Sequence, residues 1–206
     1  LFFIFNLSFK KILPILLIIA LTIFPYLTRN YFTFEKIAIT ESLGYNLWKG
    51  NNSKSKVEGY EIINKNLQKK IDVVKKDKFY QINSDKVFLN EALSNIENEP
   101  GRYFVLFLKK VASFLFIDIN SSYPNYYNIF HYLPLLLIGF SSLIGIALSN
   151  NKSKELNYLI LIFFINIIIF SCFFILPRYK LIILPMQLIF TNILVSFIYK
   201  KFFNRQ

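Results

Sequence analysis

The chain has 206 residues, of which 54% are hydrophobic and 18% aromatic, and a formal net charge of +12. A soluble domain of this length has no interior large enough to hide so much Phe and Ile, whereas a bilayer accepts it. Cys172, the only cysteine, lies in an apolar run and excludes an intrachain disulfide or a Cys-based metal site. No phosphate-cradling Gly loop, HExxH, GxSxG elbow or nucleic-acid motif is present, so the positive charge is assigned to topology and anionic lipid.

Residues 1–5 read as the tail of an earlier apolar segment, and the chain as a fragment of a longer one. Lys10-Lys11 before the apolar run 12–27 also suit a signal peptide, but no small-residue cleavage motif follows, which favours a retained span. Spans are expected at 12–28, 129–148, 156–176 and 181–199, each near the roughly 20 residues that the hydrocarbon layer requires. If they alternate, Lys10, Lys11, Lys152, Lys154, Lys200, Lys201 and Arg205 share one side, which the charge rule makes the cytoplasm. The expected fold is an all-α integral membrane protein with about four transmembrane helices. Its divisions are a stub and first span at 1–28, an extracytoplasmic helical domain at 29–128, three spans over 129–199 and a cytoplasmic tail at 200–206.

The outer segment carries helical periodicity. Tyr60, Ile63, Leu67, Ile71 and Val74 share one face of a helix expected over 58–78. Ser84 is the expected cap of a second helix with a stripe of Phe88, Leu89, Ala92, Leu93 and Ile96, closed by Glu99-Pro100-Gly101. Residues 102–117 are apolar but too short to cross, and Lys109-Lys110 interrupt their centre. An interfacial amphipathic helix fits, with Lys109 and Lys110 reaching lipid headgroups.

Two constellations could carry chemistry. The stretch Gly44-Tyr45-Asn46-Leu47-Trp48-Lys49-Gly50-Asn51-Asn52 reads as a loop shaped by its glycines. Its aromatic faces, Tyr45 and Trp48, and its amides, Asn46, Asn51 and Asn52, suit a sugar or an acceptor. Composition alone favours the plainer reading, an interfacial turn anchored by Trp48. The second constellation is Pro177-Arg178-Tyr179-Lys180, two cations in a short hinge on the non-cytoplasmic side, where such loops are normally poor in them. A guanidinium and an ammonium together suit a lipid phosphate, with Tyr179 between them; snorkelling to headgroups is the competing reading. Pro177 and Pro185 bracket this hinge. His131 is read as an interfacial hydrogen-bonding residue and Asn166 as a polar contact to a neighbouring helix. Glu35, Glu41 and Asp118 are read as solvated carboxylates, although any of them could take a divalent cation or pair with Arg29.

The order of these pieces resembles the C-terminal half of membrane glycosyltransferases of the GT-C superfamily, similar to dolichyl-phosphate-mannose–protein mannosyltransferases and lipid A aminoarabinose transferases. The resemblance rests on the Gly-Tyr-Asn-Leu-Trp…Gly-Asn-Asn stretch after Arg29-Asn30, on Asp85 and Ala92-Leu93 before Pro100, on Lys109, and on the Pro-Arg-Tyr-Lys hinge. It implies transfer of a sugar, with inversion, from a polyprenyl-phosphate-linked donor to a glycan, lipid or protein acceptor on the outer face of a bacterial inner membrane. It also implies that the activating carboxylate belongs to an earlier outer loop, so no catalytic residue is assigned in this sequence. No certain cofactor and no metal ligand set is implied; a divalent cation is compatible with the chemistry. The alternatives are a non-catalytic membrane protein whose outer domain binds a partner, and a split or degenerate family member.

Overall fold

The computed structural model describes residues 9–35, 37, 42–149 and 153–203, with side chains from residue 13 onward. Residues 1–5, Glu41, Lys152 and Arg205, and the side chains of Lys10 and Lys11, lie outside the described part. All regular structure in it is helical: α1 (Phe9–Phe34), α2 (Leu43–Gly50), α3 (Lys65–Asp72), α4 (Tyr80–Asn98), α5 (Pro100–Leu115), α6 (Ile129–Leu148), α7 (Lys154–Ser171), a 3-10 helix (Pro177–Ile182) and α8 (Leu184–Phe203).

Three of these helices are long and apolar enough to cross a membrane: α1 over Leu13–Phe34, α6 and α7. By length and composition the chain is therefore a membrane protein, and among the described residues three of the four expected spans meet that test. α8 has the length, but Gln187, Thr191, Asn192, Ser196 and the Lys200-Lys201 pair dilute its apolar character. α7 stops at Ser171, short of the expected 176. α1 runs on to Phe34, so Arg29 and Asn30 are helical and do not follow the span as a loop.

The chain divides into two compact units. The first comprises residues 1–48 and 61–94. Its core is Trp48, Leu67, Ile71, Phe88 and Ala92, with Tyr45, Leu47, Ile63, Tyr80 and Val87 packed around them. α3 is shorter than the expected 58–78 helix because Asn64 caps it, its side chain accepting from the Leu67 amide at 2.7 Å. Leu67 and Ile71 still supply its buried face. α4 begins at Tyr80, so Ser84 lies inside the helix and not at its cap. The carboxylate of Asp85 instead caps α2, accepting from the amides of Gly44 at 2.9 Å and Tyr45 at 2.8 Å. Gly44 is required by proximity: a Cβ there would sit 2.1 Å from the Asp85 carbonyl oxygen.

The second unit comprises residues 49–60 and 95–206. Phe114, Phe163, Ile167, Ile175, Ile183 and Phe190 form its apolar core with Val57. α6 packs along α8; Gly139, Ser142 and Gly145 are its buried positions, with Gly145 facing α8 and Gly139 facing Leu115 and Phe116. A Cβ on Gly145 would lie 1.9 Å from the Phe190 carbonyl oxygen, so the two backbones approach closely, as small residues permit between apolar helices. α5 packs against α7 and the 3-10 helix. Its other face leaves Phe104, Val105, Leu108 and Lys109 exposed.

Candidate functional site

The stretch expected to be a glycine-shaped loop is the helix α2 followed by a tight return. Gly44 and Gly50 serve close packing, not unusual dihedral angles; the only glycine at positive φ among the described residues is Gly59. A Cβ on Gly50 would stand 2.0 Å from the carbonyl oxygen of Phe173. Trp48 is 2% exposed and belongs to an apolar core, its ring 5.0 Å from Phe88 and 5.9 Å from Tyr45. It is neither a sugar platform nor a membrane anchor. Asn46 donates to the hydroxyl of Ser42, the residue before α2, and Tyr45 is half-buried.

Asn51 and Asn52 are buried and hold the backbone together. Asn51 donates to the Cys172 carbonyl at 2.8 Å, and Asn52 donates to the Tyr60 carbonyl at 2.8 Å while accepting from the Lys54 amide at 2.9 Å. Lys110 completes this knot. It is fully buried, and its ammonium donates to the Gly50 carbonyl at 2.9 Å and to Asn51 Oδ1 at 3.1 Å. A cation at the last carbonyl of α2 also meets the negative end of that helix. Burial nevertheless pulls its pKa down to about 7. Lys110 thus has no access to headgroups, and of the expected lipid-facing pair only Lys109 is exposed. The sequence signal for this difference was the helical period: Tyr103, Leu106, Lys110, Ser113 and Phe114 share the buried face.

The Pro177-Arg178-Tyr179-Lys180 stretch is one 3-10 turn, opened by Pro177 at its first position. The turn separates its two cations by environment. Arg178 is exposed, and its guanidinium lies 5.7 Å from the Tyr179 ring centroid. Tyr179 is fixed in turn by Phe170 and Phe174, at 5.7 and 6.0 Å. Lys180 is 6% exposed, and its ammonium has no hydrogen-bond partner among the described residues. Its pKa is pulled down to about 8 by burial, with Asp118 opposing the shift.

Asp118, expected to be solvated, is 6% exposed. Its amide donates to the buried Tyr126 hydroxyl at 2.9 Å, and its carboxylate accepts from the Asn120 amide at 2.9 Å. Burial raises its pKa, Glu58 adds to the rise, and Lys180 and Lys56 oppose it. Glu58 is itself held by the Ser121 hydroxyl and by the hydroxyl and amide of Ser122, at 2.6 and 3.0 Å. Charges of both signs therefore act on Asp118 in this unit, while Asp118 is the one that acts on Lys180, without a hydrogen bond to its ammonium. Sequence reasoning took Asp118 for a solvated carboxylate and passed over Glu58; the available signal for Asp118 was its place directly after the apolar run that ends at Ile117.

Other expectations resolve simply. Asn166 bonds within its own helix, to the Ile162 carbonyl at 2.8 Å, not to a neighbour. His131 stacks edge-on against Tyr126 at 5.3 Å. Glu35 pairs with Lys78 at 3.2 Å. Among the described residues no cluster of His, Cys, Asp and Glu has the grouping a metal ion needs. No family model, curated protein or solved structure matches the chain.

Proposed function

We propose that the Arg178–Lys180 turn binds the phosphate of a polyprenyl lipid, and that the chain is part of a glycosyltransferase that uses a polyprenyl-phosphate-linked sugar. The sugar goes to a glycan, lipid or protein acceptor on the outer face of a bacterial inner membrane. The observation that carries the reading is the Lys180 ammonium, enclosed without a hydrogen-bond acceptor among the described residues. An unpaired buried charge is expensive, and an anion arriving at it recovers that cost on binding. Arg178, one residue from Tyr179 and exposed, supplies the planar fork that a phosphate accepts.

In this reading the turn has a role in chemistry as well as in binding. As the sugar leaves its carrier, negative charge grows on the lipid phosphate. Fixed cations at that position favour the charge-separated state more than the ground state. α5 presents Phe104, Val105 and Leu108 with Lys109, an exposed apolar face with a cationic edge that suits an anionic leaflet.

Binding of a polyprenyl monophosphate to the protein in nanodiscs, read by native mass spectrometry, tests the proposal. The intact protein should retain the lipid, while Arg178→Ala and Lys180→Met should each weaken retention at least about tenfold. Equal retention by all three, or equal retention of the dephosphorylated polyprenol, removes the turn from phosphate recognition.

A further inference from the structure

The first unit contains a groove that the phosphate turn does not explain. It has a volume of about 620 Å³ and is walled by α2, α3 and α4, with Ile63 from the segment before α3. That size falls within the range of small-molecule sites. Tyr45, Tyr80 and Phe88 give it aromatic faces, and Ser42, Ser84, Gln68 and Gln81 give it hydroxyls and amides. Among the described residues its one charged group is Asp85, whose two oxygens already hold the Gly44 and Tyr45 amides. In a chain with a net charge of +12, no Lys, Arg or His is among the described residues that line this groove.

A second observation points to a ligand. The Ser84 hydroxyl, in the groove lining and on a residue only 9% exposed, has no hydrogen-bond partner among the described residues. A buried hydroxyl left unbonded in a folded protein is unfavourable, and it is satisfied when a partner enters. The lining also selects the partner's chemistry. An anion finds no cation, and a cation finds a carboxylate already engaged. A neutral polyol finds aromatic faces for its CH-rich ring sides together with donors and acceptors for its hydroxyls.

We infer that this groove binds a neutral saccharide, with Tyr45, Tyr80 and Phe88 offering ring faces and Ser84 and Gln81 bonding sugar hydroxyls. The inference does not depend on phosphate binding at the Arg178–Lys180 turn, and its test uses no lipid donor.

Trp48, the only tryptophan, reports on the groove because its ring packs against Tyr45 and Phe88 in the groove wall. Cellobiose, chitobiose and mannobiose are titrated onto the full chain in nanodiscs, free of sugar-based detergent, while Trp48 emission is followed. At least one should give a saturable change with a dissociation constant on the order of 1 mM. Gln81→Ala, at an exposed position, and Ser84→Ala should each weaken that binding at least about fivefold while leaving the unliganded emission unchanged. No saturable change with any of the three up to roughly 50 mM, or an equal change in both variants, overturns the inference.

Discussion

Lys110 and Asn51 form a buried pair: the ammonium donates to Asn51 Oδ1 at 3.1 Å, and the same amide passes a bond on to the Cys172 carbonyl at 2.8 Å. Through this relay, residues from the end of α2, the middle of α5 and the end of α7 are joined inside one unit. A lysine in the middle of an apolar helix is therefore an internal fastener.

Removing the fastener should be costly. Lys110→Ala leaves the Gly50 carbonyl and Asn51 Oδ1 without this donor and opens the space of the stem, so a loss of about 3 kcal/mol is expected. Lys110→Met, which keeps most of the volume and removes the desolvated charge, should cost less. Thermal unfolding in nanodiscs orders the two variants; equal stability of Lys110→Ala and the parent protein contradicts the assignment.

The same lysine gives stability a pH dependence. Its folded pKa of about 7 lies below its ordinary 10.5, so between these values the unfolded chain binds more protons. Stability should rise as pH climbs through that window and flatten below it. Lys180, depressed to about 8, adds a smaller rise of the same sign. Unfolding midpoints measured against pH should show the slope, and Lys110→Met should reduce it.

Asp85 is expected to matter to the first unit through α2. Asp85→Ala frees two amides at that helix's N-terminus and should destabilise it by about 1–2 kcal/mol; Asp85→Asn should lose less, since its oxygen can still accept. Hydrogen exchange at the Gly44 and Tyr45 amides would rise in Asp85→Ala. Unchanged protection there argues against the cap.

Glycines separate cleanly by neighbourhood. Gly50→Ala and Gly145→Ala place a methyl group within about 2 Å of the Phe173 and Phe190 carbonyl oxygens and should each cost about 2 kcal/mol or more. Gly101→Ala meets nothing within 4 Å and, lying in the first turn of α5, should be neutral or slightly stabilising. Unfolding midpoints of the three variants provide the comparison.

Lys180 sets function against stability. Lys180→Met should raise the unfolding midpoint, because it removes a buried cation that has no hydrogen-bond partner among the described residues. If the turn binds phosphate, the same substitution weakens retention of polyprenyl monophosphate at least about tenfold. A variant that is both less stable and fully competent in binding contradicts the role given to this ammonium.

Much of the helical content was legible in the residues. The apolar runs announced α1, α6 and α7, and the period of Leu67 with Ile71, and of Phe88 with Ala92, picked the buried faces of α3 and α4. The 44–52 stretch was misread because glycine and asparagine are turn formers by default. Here the glycines answer to backbones that come within contact of them, and Asn51 answers to the Cys172 carbonyl, distant in sequence. Neither requirement is local, so neither leaves a local pattern.

Composition alone determined that this chain belongs in a bilayer and is built of helices, because its excess of apolar side chains has no other solvent and periodicity is a property of neighbouring residues. Only the tertiary structure decided the fate of its cations. Lys109 and Lys110 are adjacent and chemically identical, and Arg178 and Lys180 carry the same charge on either side of Tyr179, yet one of each pair is exposed and the other enclosed. Burial depends on what the rest of the chain packs against a side chain, and that information is carried by residues far away in sequence.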